Sequence, residues 1–201
     1  ETLDQNNNHL YSALFRQLSL CQGYAQSFQM IAGQLGFEVR LITGEADGVG
    51  HAWNLVRLDG KWYHVDVTFD DPTPDRGPDA PLQYVHFMRS DAVMKESHTW
   101  KAAEYPSSTE DGAYYYRQLA LTAASREELN ARFINFINTI DLSQPQTTRL
   151  QLLFTGQETP GRDGLEEMVR DALRRETSGY TIYFSSQVIK RIVLIDITPA
   201  G

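Results

Sequence analysis

The sequence predicts an α+β fold in two parts, residues 1–105 and residues 106–201. Three observations predict it. Apolar residues at helical spacing follow Cys21, an Asp-Gly hairpin signal joins two runs of aromatic and β-branched residues, and a polar stretch at 101–113 precedes a region of alternating strand and helix patterns. A chain of 201 residues can form one large domain, or a domain of about 100–150 residues with a small companion.

The composition is that of an ordinary globular protein, with 41% hydrophobic and 22% charged residues. The formal net charge of −8 argues against a nucleic acid or an anionic membrane as partner, since both attract clustered Lys and Arg. No apolar run reaches the roughly 18–20 residues that a membrane-spanning helix needs. The single cysteine excludes an intramolecular disulfide, so cysteine usage does not indicate the compartment.

The elements of the first part follow from periodicity and turn chemistry. Tyr24, Phe28, Ile31 and Leu35 have the spacing of an amphipathic helix, and Gly36 is a natural stop for it. The other elements expected here are a strand at 37–43, a loop at 45–50, a hairpin around 59–60, a proline-rich loop at 71–81, a short helix from 90 onward and a linker at 101–113.

The hairpin predicts which side chains share a face of the sheet. With a two-residue Asp-Gly loop, the register places Trp53 opposite Asp66 and His51 diagonal to it, about 7–8 Å away and within side-chain reach. One face then carries His51, Trp53, Trp62, His64, Asp66 and Thr68. The other face, predicted to be the core face, carries Val56, Leu58, Tyr63, Val65, Val67 and Phe69.

The second part has the pattern of a compact β-α-β-α-β-β unit. Ser125 and Glu128 form a capping box that opens its first helix. The expected elements are a strand at 114–116, a helix from 125 through 140, a strand at 149–155, a helix at 164–175 and strands at 180–184 and 189–197. No chemistry-bearing motif stands out in it, and we interpret it as a structural or recognition unit.

Cys21 is the candidate nucleophile. A thiol at a helix N-terminus lies at the positive end of the helix dipole, and a neighbouring imidazolium lowers its pKa further. His51 can supply that imidazolium, and Asp66 can fix the tautomer and orientation of His51. The alternative is a buried structural cysteine, because unpaired cysteine is among the most buried residue types.

Other roles for the polar residues remain open. His51, His64 and Asp66 can be read as metal ligands, but His-x-Asp on one strand is a weak pattern with no fourth ligand, and we predict no metal. Asp70 and Asp71 compete with Asp66 for the orienting role, although their position beside Pro72 is typical of a turn. The remaining histidines, His9, His86 and His98, are interpreted as surface or packing residues.

Several short motifs together resemble the transglutaminase-like superfamily, and most closely its bacterial, secreted or lipoprotein branch. These motifs are Gly-Tyr-Ala after Cys21, His51-Ala52-Trp53-Asn54, Gly60 before Trp62-Tyr63, Val65-Asp66-Val67-Thr68, Asp71-Pro72, Phe87-Met88-Arg89-Ser90-Asp91 and His98-Thr99-Trp100. The resemblance covers about residues 9–100. Relatives usually carry a longer helical segment before the position of Leu10, so this domain is expected to be truncated or completed by another chain.

The resemblance implies a papain-like core, in which a helix bearing the cysteine packs on an antiparallel sheet bearing the histidine and aspartate. By position, Tyr11 resembles an upstream tyrosine of this branch. Tyr11, Gln22 and Trp53 are candidates for contacting the oxyanion or the substrate, and Trp53 and Trp62 are also candidates for walls that exclude water. An extracellular or cell-surface location is implied by the resemblance alone.

The predicted activity is acyl transfer through a thioester on Cys21. The substrate would be a protein or peptide, attacked at a peptide or glutamine carbonyl, and the acceptor would be water or an amine. No cofactor is demanded by the residues. The alternative is a non-catalytic module that keeps the fold and binds proteins or cell-wall material. The sequence indicates no oligomeric state.

Overall fold

The computed structural model describes residues 20–71, 81–111 and 114–200. The chain divides into two compact units, residues 1–73 with 82–115 and residues 74–81 with 116–201. Helices and largely antiparallel sheets build both, which confirms the predicted α+β class. The predicted boundary at 105 and the independence of the second unit as a domain stay predictions. Among the described helices, none has the length and apolar character to cross a bilayer.

The first unit contains a five-stranded sheet in the order β4-β3-β2-β1-β5. Its elements are α1 (Cys21–Gln34), β1 (Glu38–Ala46), β2 (Val49–Leu58), β3 (Lys61–Val65), α2 (Val67–Asp70), β4 (Phe87–Arg89), α3 (Asp91–Met94), β5 (His98–Trp100) and a 3₁₀ turn (Ala102–Glu104). All its strand pairs are antiparallel. This confirms the predicted arrangement of a cysteine-bearing helix on an antiparallel sheet, and His51 lies on that sheet.

Helix α1 packs on the sheet mainly through small residues, and through only part of the predicted apolar stripe. Its buried residues are Gly23, Ala25 and Ala32, whereas Ile31 and Leu35 are 50% and 72% exposed. Small side chains allow the helix backbone to approach the sheet closely. Because the helix lies close to the sheet, Nδ2 of the buried Asn54 of β2 donates to the carbonyl oxygen of Ala25 at 3.0 Å. This bond ties the helix that carries Cys21 to the strand that carries His51.

The predicted hairpin register is confirmed as far as β3 extends. Leu58 pairs with Lys61 and Asn54 pairs with Val65, around a turn in which Asp59 and Gly60 both have positive φ. The prediction that the ladder continues to Thr68 is wrong. Asp66 caps α2 and the chain turns into that helix, because the carboxylate of Asp66 accepts from the backbone N–H groups that begin it.

Apolar clusters cover both faces of the sheet, the predicted core face and the face that carries His51. On the face toward α1, buried Val56, Tyr63, Val65 and Met88 form one apolar cluster with Phe28 packed against it. On the opposite face, Ile42, Trp53, Leu55 and Met94 form another. Trp53 and His64, on the face that carries His51, are therefore buried.

The edge strand β5 and the residues after it close this opposite face. His98 pairs with Ala46 and Trp100 pairs with Gly44. A Cβ at Gly44 would lie 2.1 Å from the carbonyl oxygen of Thr99 and 3.0 Å from Trp53 Cη2, so only glycine permits this approach. The stretch expected to be a linker also packs here: Ser108 is buried, and Asp111 accepts from Arg89 Nε at 2.8 Å.

The second unit is a four-stranded sheet in the order β6-β7-β9-β8 with two main helices. Its elements are α4 (Tyr114–Gln118), β6 (Thr122–Ala123), α5 (Arg126–Ile137), β7 (Thr148–Phe154), α6 (Arg162–Glu176), β8 (Ile182–Ile189) and β9 (Ile192–Pro199). The strand predicted at 114–116 is wrong; a helix lies there, and the first strand follows at Thr122. The capping box is present, with Ser125 Oγ accepting from the N–H of Glu128 at 3.2 Å.

Candidate active site

Cys21 is the first residue of α1, and its side chain is partly exposed. A hydrogen bond from His51 lowers the pKa of the Cys21 thiol, and although burial acts in the opposite direction, hydrogen bonds from the backbone N–H groups of Ala52 and Gln22 lower it further. These three donors favour the thiolate over the thiol. The thiolate is the nucleophilic form of cysteine.

His51 lies in β2 with its side chain only 7% exposed. Its Nε2 is 2.7 Å from Asp66 Oδ2, which leaves Nδ1 as the ring nitrogen available to Cys21. Burial acts to lower the pKa of His51, but the hydrogen bonds to Asp66 and Cys21 outweigh it and raise the pKa to about 9. His51 is therefore an imidazolium at neutral pH, and it favours the thiolate form of Cys21.

Two aromatic rings hold the His51 ring in place. Trp53 stacks on it with ring centroids 5.9 Å apart and planes 19° from parallel. Phe69 lies at 4.9 Å, a contact that arises because Phe69 belongs to α2 and not to the predicted strand. Apolar rings around an ion pair exclude water and so strengthen the electrostatic attraction within it.

Asp66 is fully buried, and four hydrogen bonds satisfy its carboxylate. Oδ1 accepts from the backbone N–H groups of Thr68 and Phe69 at 3.1 and 3.2 Å. Oδ2 faces His51 Nε2 at 2.7 Å and His98 Nε2 at 3.0 Å. Burial alone would raise the pKa of Asp66, but these hydrogen bonds hold it well below the usual range, so the carboxylate stays ionised.

The structure thus brings Cys21, His51 and Asp66 together as the sequence predicts. The competing carboxylates face elsewhere. Asp70 Oδ1 accepts from the backbone N–H of His86 at 2.8 Å and lies 3.2 Å from its Nδ1, and Asp71 accepts from the hydroxyl of Tyr24 at 2.5 Å. Burial raises the pKa of Asp70 despite the bond to His86.

The three other candidate site residues are Tyr11, Gln22 and Trp53. Tyr11 lies outside the described residues. Gln22 is exposed beside Cys21, so a contact between its side chain and a substrate stays a prediction. Trp53 is only 1% exposed, and its indole N–H donates to His64 Nδ1 at 2.9 Å; its contact with the oxyanion or substrate stays a prediction. Its stacking on His51 fits the other predicted role, a wall of the site.

His64 belongs to a separate buried hydrogen-bond chain. Its Nδ1 accepts from Trp53 and its Nε2 is 2.8 Å from Asp91 Oδ1. Burial lowers the pKa of His64 in spite of Asp91, which agrees with a neutral ring that accepts at Nδ1 and donates at Nε2. His64 thus fixes the indole that stacks on His51.

Of the two interpretations of His86 and His98, surface or packing residues, burial excludes the surface one. Both are buried and each contacts a carboxylate, His86 that of Asp70 and His98 that of Asp66. Sequence reasoning missed His98 because it lies 32 positions after Asp66, in a three-residue strand that reaches the site only by pairing with β1. A strand that short has no periodic signal.

His98 also changes the grouping of residues with metal-ligand spacing. In the part of the chain that the structure describes, such a group is formed by His51, Asp66 and His98, whose ligand-type atoms all lie within 4.8 Å of one another. His64, which the sequence grouped with His51 and Asp66, is not in it. Both ring Nε2 atoms already lie within hydrogen-bond distance of Asp66 Oδ2, so hydrogen bonding accounts for the arrangement.

A thiol at a helix N-terminus, an imidazole on an adjacent strand and a carboxylate behind the imidazole define the papain-like class of thiol sites. Comparison with known proteins agrees with this class. Residues 1–67 match the family described as the Transglutaminase-like superfamily. The matched segment is the first third of the chain, and it contains Cys21, His51 and Asp66.

Two curated relatives share the similarity at low identity. The kyphoscoliosis peptidase of Mus musculus is 24% identical and that of Homo sapiens 23% identical, each over 72% of this chain. The chain spans only 26% of the length of either relative. A solved structure, titled as the crystal structure of a TGase, matches 60% of this chain and 33% of its own, with 22% identity and a TM-score of 0.35.

Proposed function

We propose that this chain catalyses thiol-dependent acyl transfer through a thioester on Cys21. The observation that carries the proposal is the position of His51, which hydrogen-bonds both to Cys21 and to Asp66. That position lowers the pKa of the thiol and raises the pKa of the imidazole to about 9. Both shifts favour the pairing of a Cys21 thiolate with a His51 imidazolium, which is the reactive form of a thiol nucleophile in acyl transfer.

In the first half-reaction the Cys21 thiolate attacks the carbonyl carbon of a peptide or glutamine side-chain amide. A C–S bond forms, and the carbonyl electron pair moves onto oxygen. When the tetrahedral intermediate collapses, the C–N bond breaks and His51 donates its Nδ1 proton to the leaving nitrogen. The products are a thioester on Cys21, a released amine or ammonia, and a neutral His51.

The second half-reaction restores the enzyme. Neutral His51 removes a proton from the acceptor, which attacks the thioester carbonyl, and Cys21 leaves as a thiolate that again faces an imidazolium. Water as acceptor gives hydrolysis and a primary amine gives a new amide. The two mammalian relatives are named peptidases, which favours hydrolysis at a peptide carbonyl as the first activity to assay.

The oxyanion of the tetrahedral intermediate lies next to the start of α1. Backbone N–H groups in the first turn of a helix lack intrahelical acceptors and point toward an anion placed there. The N–H of Cys21 is our candidate oxyanion donor, since Cys21 is the first residue of that helix. Pre-oriented donors of this kind stabilise developing charge without reorganisation during the reaction.

The first test is the rate of iodoacetamide alkylation against pH, followed by intact mass. Cys21 is the only cysteine, so the mass change reports one thiol. We expect alkylation to persist well below pH 7, and in His51→Ala to rise only near the free-thiol pKa of about 8.5. If alkylation of the wild type also rises only near that pH, or if Cys21 is not labelled at all, the proposal is contradicted and the non-catalytic binding module is favoured.

A second measurement separates the two acceptors. The protein is incubated with a casein or peptide substrate, with and without a fluorescent primary amine, and the products are analysed by mass spectrometry. Cleaved or deamidated product alone assigns water as the acceptor, and amine incorporation assigns transfer. Cys21→Ala is the matched control, because it keeps the fold but cannot form the thioester.

A further inference from the structure

The carboxylate of Asp66 serves two imidazoles, and the mechanism above uses only one of them. His98 Nε2 lies 3.0 Å from the same Oδ2 that contacts His51 Nε2 at 2.7 Å. His98 and Asp66 are both fully buried, and the two imidazole ring centroids are 5.6 Å apart. Among the described contacts of His98, the hydrogen bond that links it to the reacting groups is the one to Asp66, and its ring also lies beside that of His51.

We propose that His98 is a positioning residue for this site, holding Asp66 Oδ2 in the direction that orients His51. The inference rests on the proposed acyl transfer and deepens it. An ionised carboxylate only accepts hydrogen bonds, so both imidazoles must donate to it from a protonated Nε2. With Nε2 protonated on His51, Nδ1 is the atom that exchanges a proton with Cys21 and the substrate.

The hydrogen bond at the other ring nitrogen of His98 also agrees with a proton on Nε2. Ser97 Oγ lies 2.9 Å from His98 Nδ1, and its hydroxyl donates to that nitrogen when the proton is on Nε2. The result is a directed chain from Ser97 through His98 and Asp66 to His51, in which each group fixes the next one.

The rest of the Asp66 environment explains why a second donor matters. Backbone N–H groups hold Oδ1, and they belong to the first turn of α2, so they fix one oxygen only. Without His98, Oδ2 would have one donor in a site closed to water, and one bond fewer would resist rotation of the carboxylate about its Cβ–Cγ bond. The bond of Oδ2 to His51 would then be less firmly directed.

The test compares His98→Leu, His98→Gln and His86→Leu. Leucine removes the donor, whereas the glutamine amide N–H can replace Nε2. His86 is the matched control, because it is also a buried histidine beside a carboxylate but contacts Asp70 instead of Asp66. Each variant is assayed for kcat and KM and for Cys21 alkylation against pH, and its fold is checked by circular dichroism.

For His98→Leu we expect kcat to fall about 10–100-fold with KM little changed, a size typical of lost orienting partners. The acid limb of alkylation should move upward by about one pH unit, because a loosely held Asp66 stabilises the imidazolium less. His98→Gln should retain most of the wild-type kcat and most of the alkylation at low pH. His86→Leu should keep the wild-type profile. A wild-type profile in His98→Leu overturns the role of His98 while leaving the acyl-transfer proposal intact.

If Cys21 of the wild type itself is not alkylated at low pH, by contrast, both acyl transfer and the role of His98 are overturned.

A measurement on the unsubstituted protein covers the case in which a leucine variant does not fold. In protein labelled with ¹⁵N-histidine, His98 should carry its proton on Nε2. A proton on Nδ1 alone, or a stoichiometric Zn²⁺ bound through Nε2, overturns the inference, since either removes the donor to Asp66.

Discussion

The two units of this protein use their interiors differently. Of the buried polar and charged residues that the structure describes, all but Thr177 and Asp196 lie in the first unit. The second unit instead has one continuous apolar core contributed by α5, α6 and the sheet. The first unit divides its apolar residues between smaller clusters on the two faces of its sheet, with histidines and carboxylates among them. Buried polar groups stabilise a fold weakly, but when satisfied they hold a defined geometry.

Because of this difference, we expect substitutions of buried polar residues in the first unit to affect catalysis, and substitutions in the apolar core of the second unit to affect stability. The largest effect is expected for Asp66→Asn, which keeps the size of the side chain and removes its charge. Without the carboxylate, the imidazolium loses its main stabilising partner and the tautomer is no longer fixed, so kcat should fall by about 10⁴-fold. Steady-state kinetics measures this, with circular dichroism to verify folding; a loss below tenfold would remove Asp66 from the mechanism.

The second largest effect is expected on stability and not on the site. Phe133→Ala in the second unit removes a fully buried aromatic ring from the apolar core. Because it leaves a cavity among well-packed neighbours, the free energy of unfolding should fall by about 3–5 kcal/mol. Urea denaturation gives this value. The alkylation profile of Cys21 should stay that of the wild type under native conditions, and a shifted profile would contradict the separation of roles.

A smaller effect connects the site to stability through pH. Above the ordinary histidine pKa of 6.5, the raised pKa of His51 contributes stability that is lost as pH rises, whereas the lowered pKa of Cys21 contributes stability that grows as pH rises, so the two contributions oppose each other. In Cys21→Ala only the His51 contribution remains. It is smaller without the hydrogen bond to Cys21, but the hydrogen bond to Asp66 still raises the pKa of His51, so stability is present below pH 6.5 and is lost as pH rises above it.

Urea unfolding of the wild type and Cys21→Ala at several pH values between 6.5 and 9 tests this linkage. The curves of unfolding free energy against pH should diverge, with Cys21→Ala falling relative to the wild type as the pH rises. Parallel curves would mean that the thiol and His51 do not share a proton. Asp66 acts in the acid range, where its lowered pKa contributes stability that is lost as pH falls below the ordinary value of 3.8.

The smallest effect concerns a single helix terminus. Ser125→Ala removes the side-chain acceptor for the N–H of Glu128 at the start of α5. Loss of a helix N-cap costs about 1 kcal/mol, so the midpoint of urea unfolding should fall slightly and catalysis should not change. Ser125→Asp is the matched control and should retain the cap; equal loss in both variants would mean that the cap bond does not stabilise α5.

Local sequence patterns predicted the elements whose signals are themselves local. The Asp-Gly turn set the hairpin register, Ser125 and Glu128 set the start of α5, and Gly36 marked the end of α1. The prediction failed where a neighbour in space competes with a local preference. At Asp66 a strand pattern gave way to a helix cap, and at 114–116 a run of tyrosines with strand propensity became a helix.

For the candidate site, the sequence by itself determined the three residue types and brought His51 and Asp66 within reach, since hairpin parity is a short-range property. Only the tertiary structure decided the rest. The packing of small α1 residues on the sheet placed Cys21 beside His51, and the pairing of β5 with β1 brought His98 to Asp66. Contacts between segments 30 or more residues apart depend on how whole elements pack, and no local pattern encodes that packing.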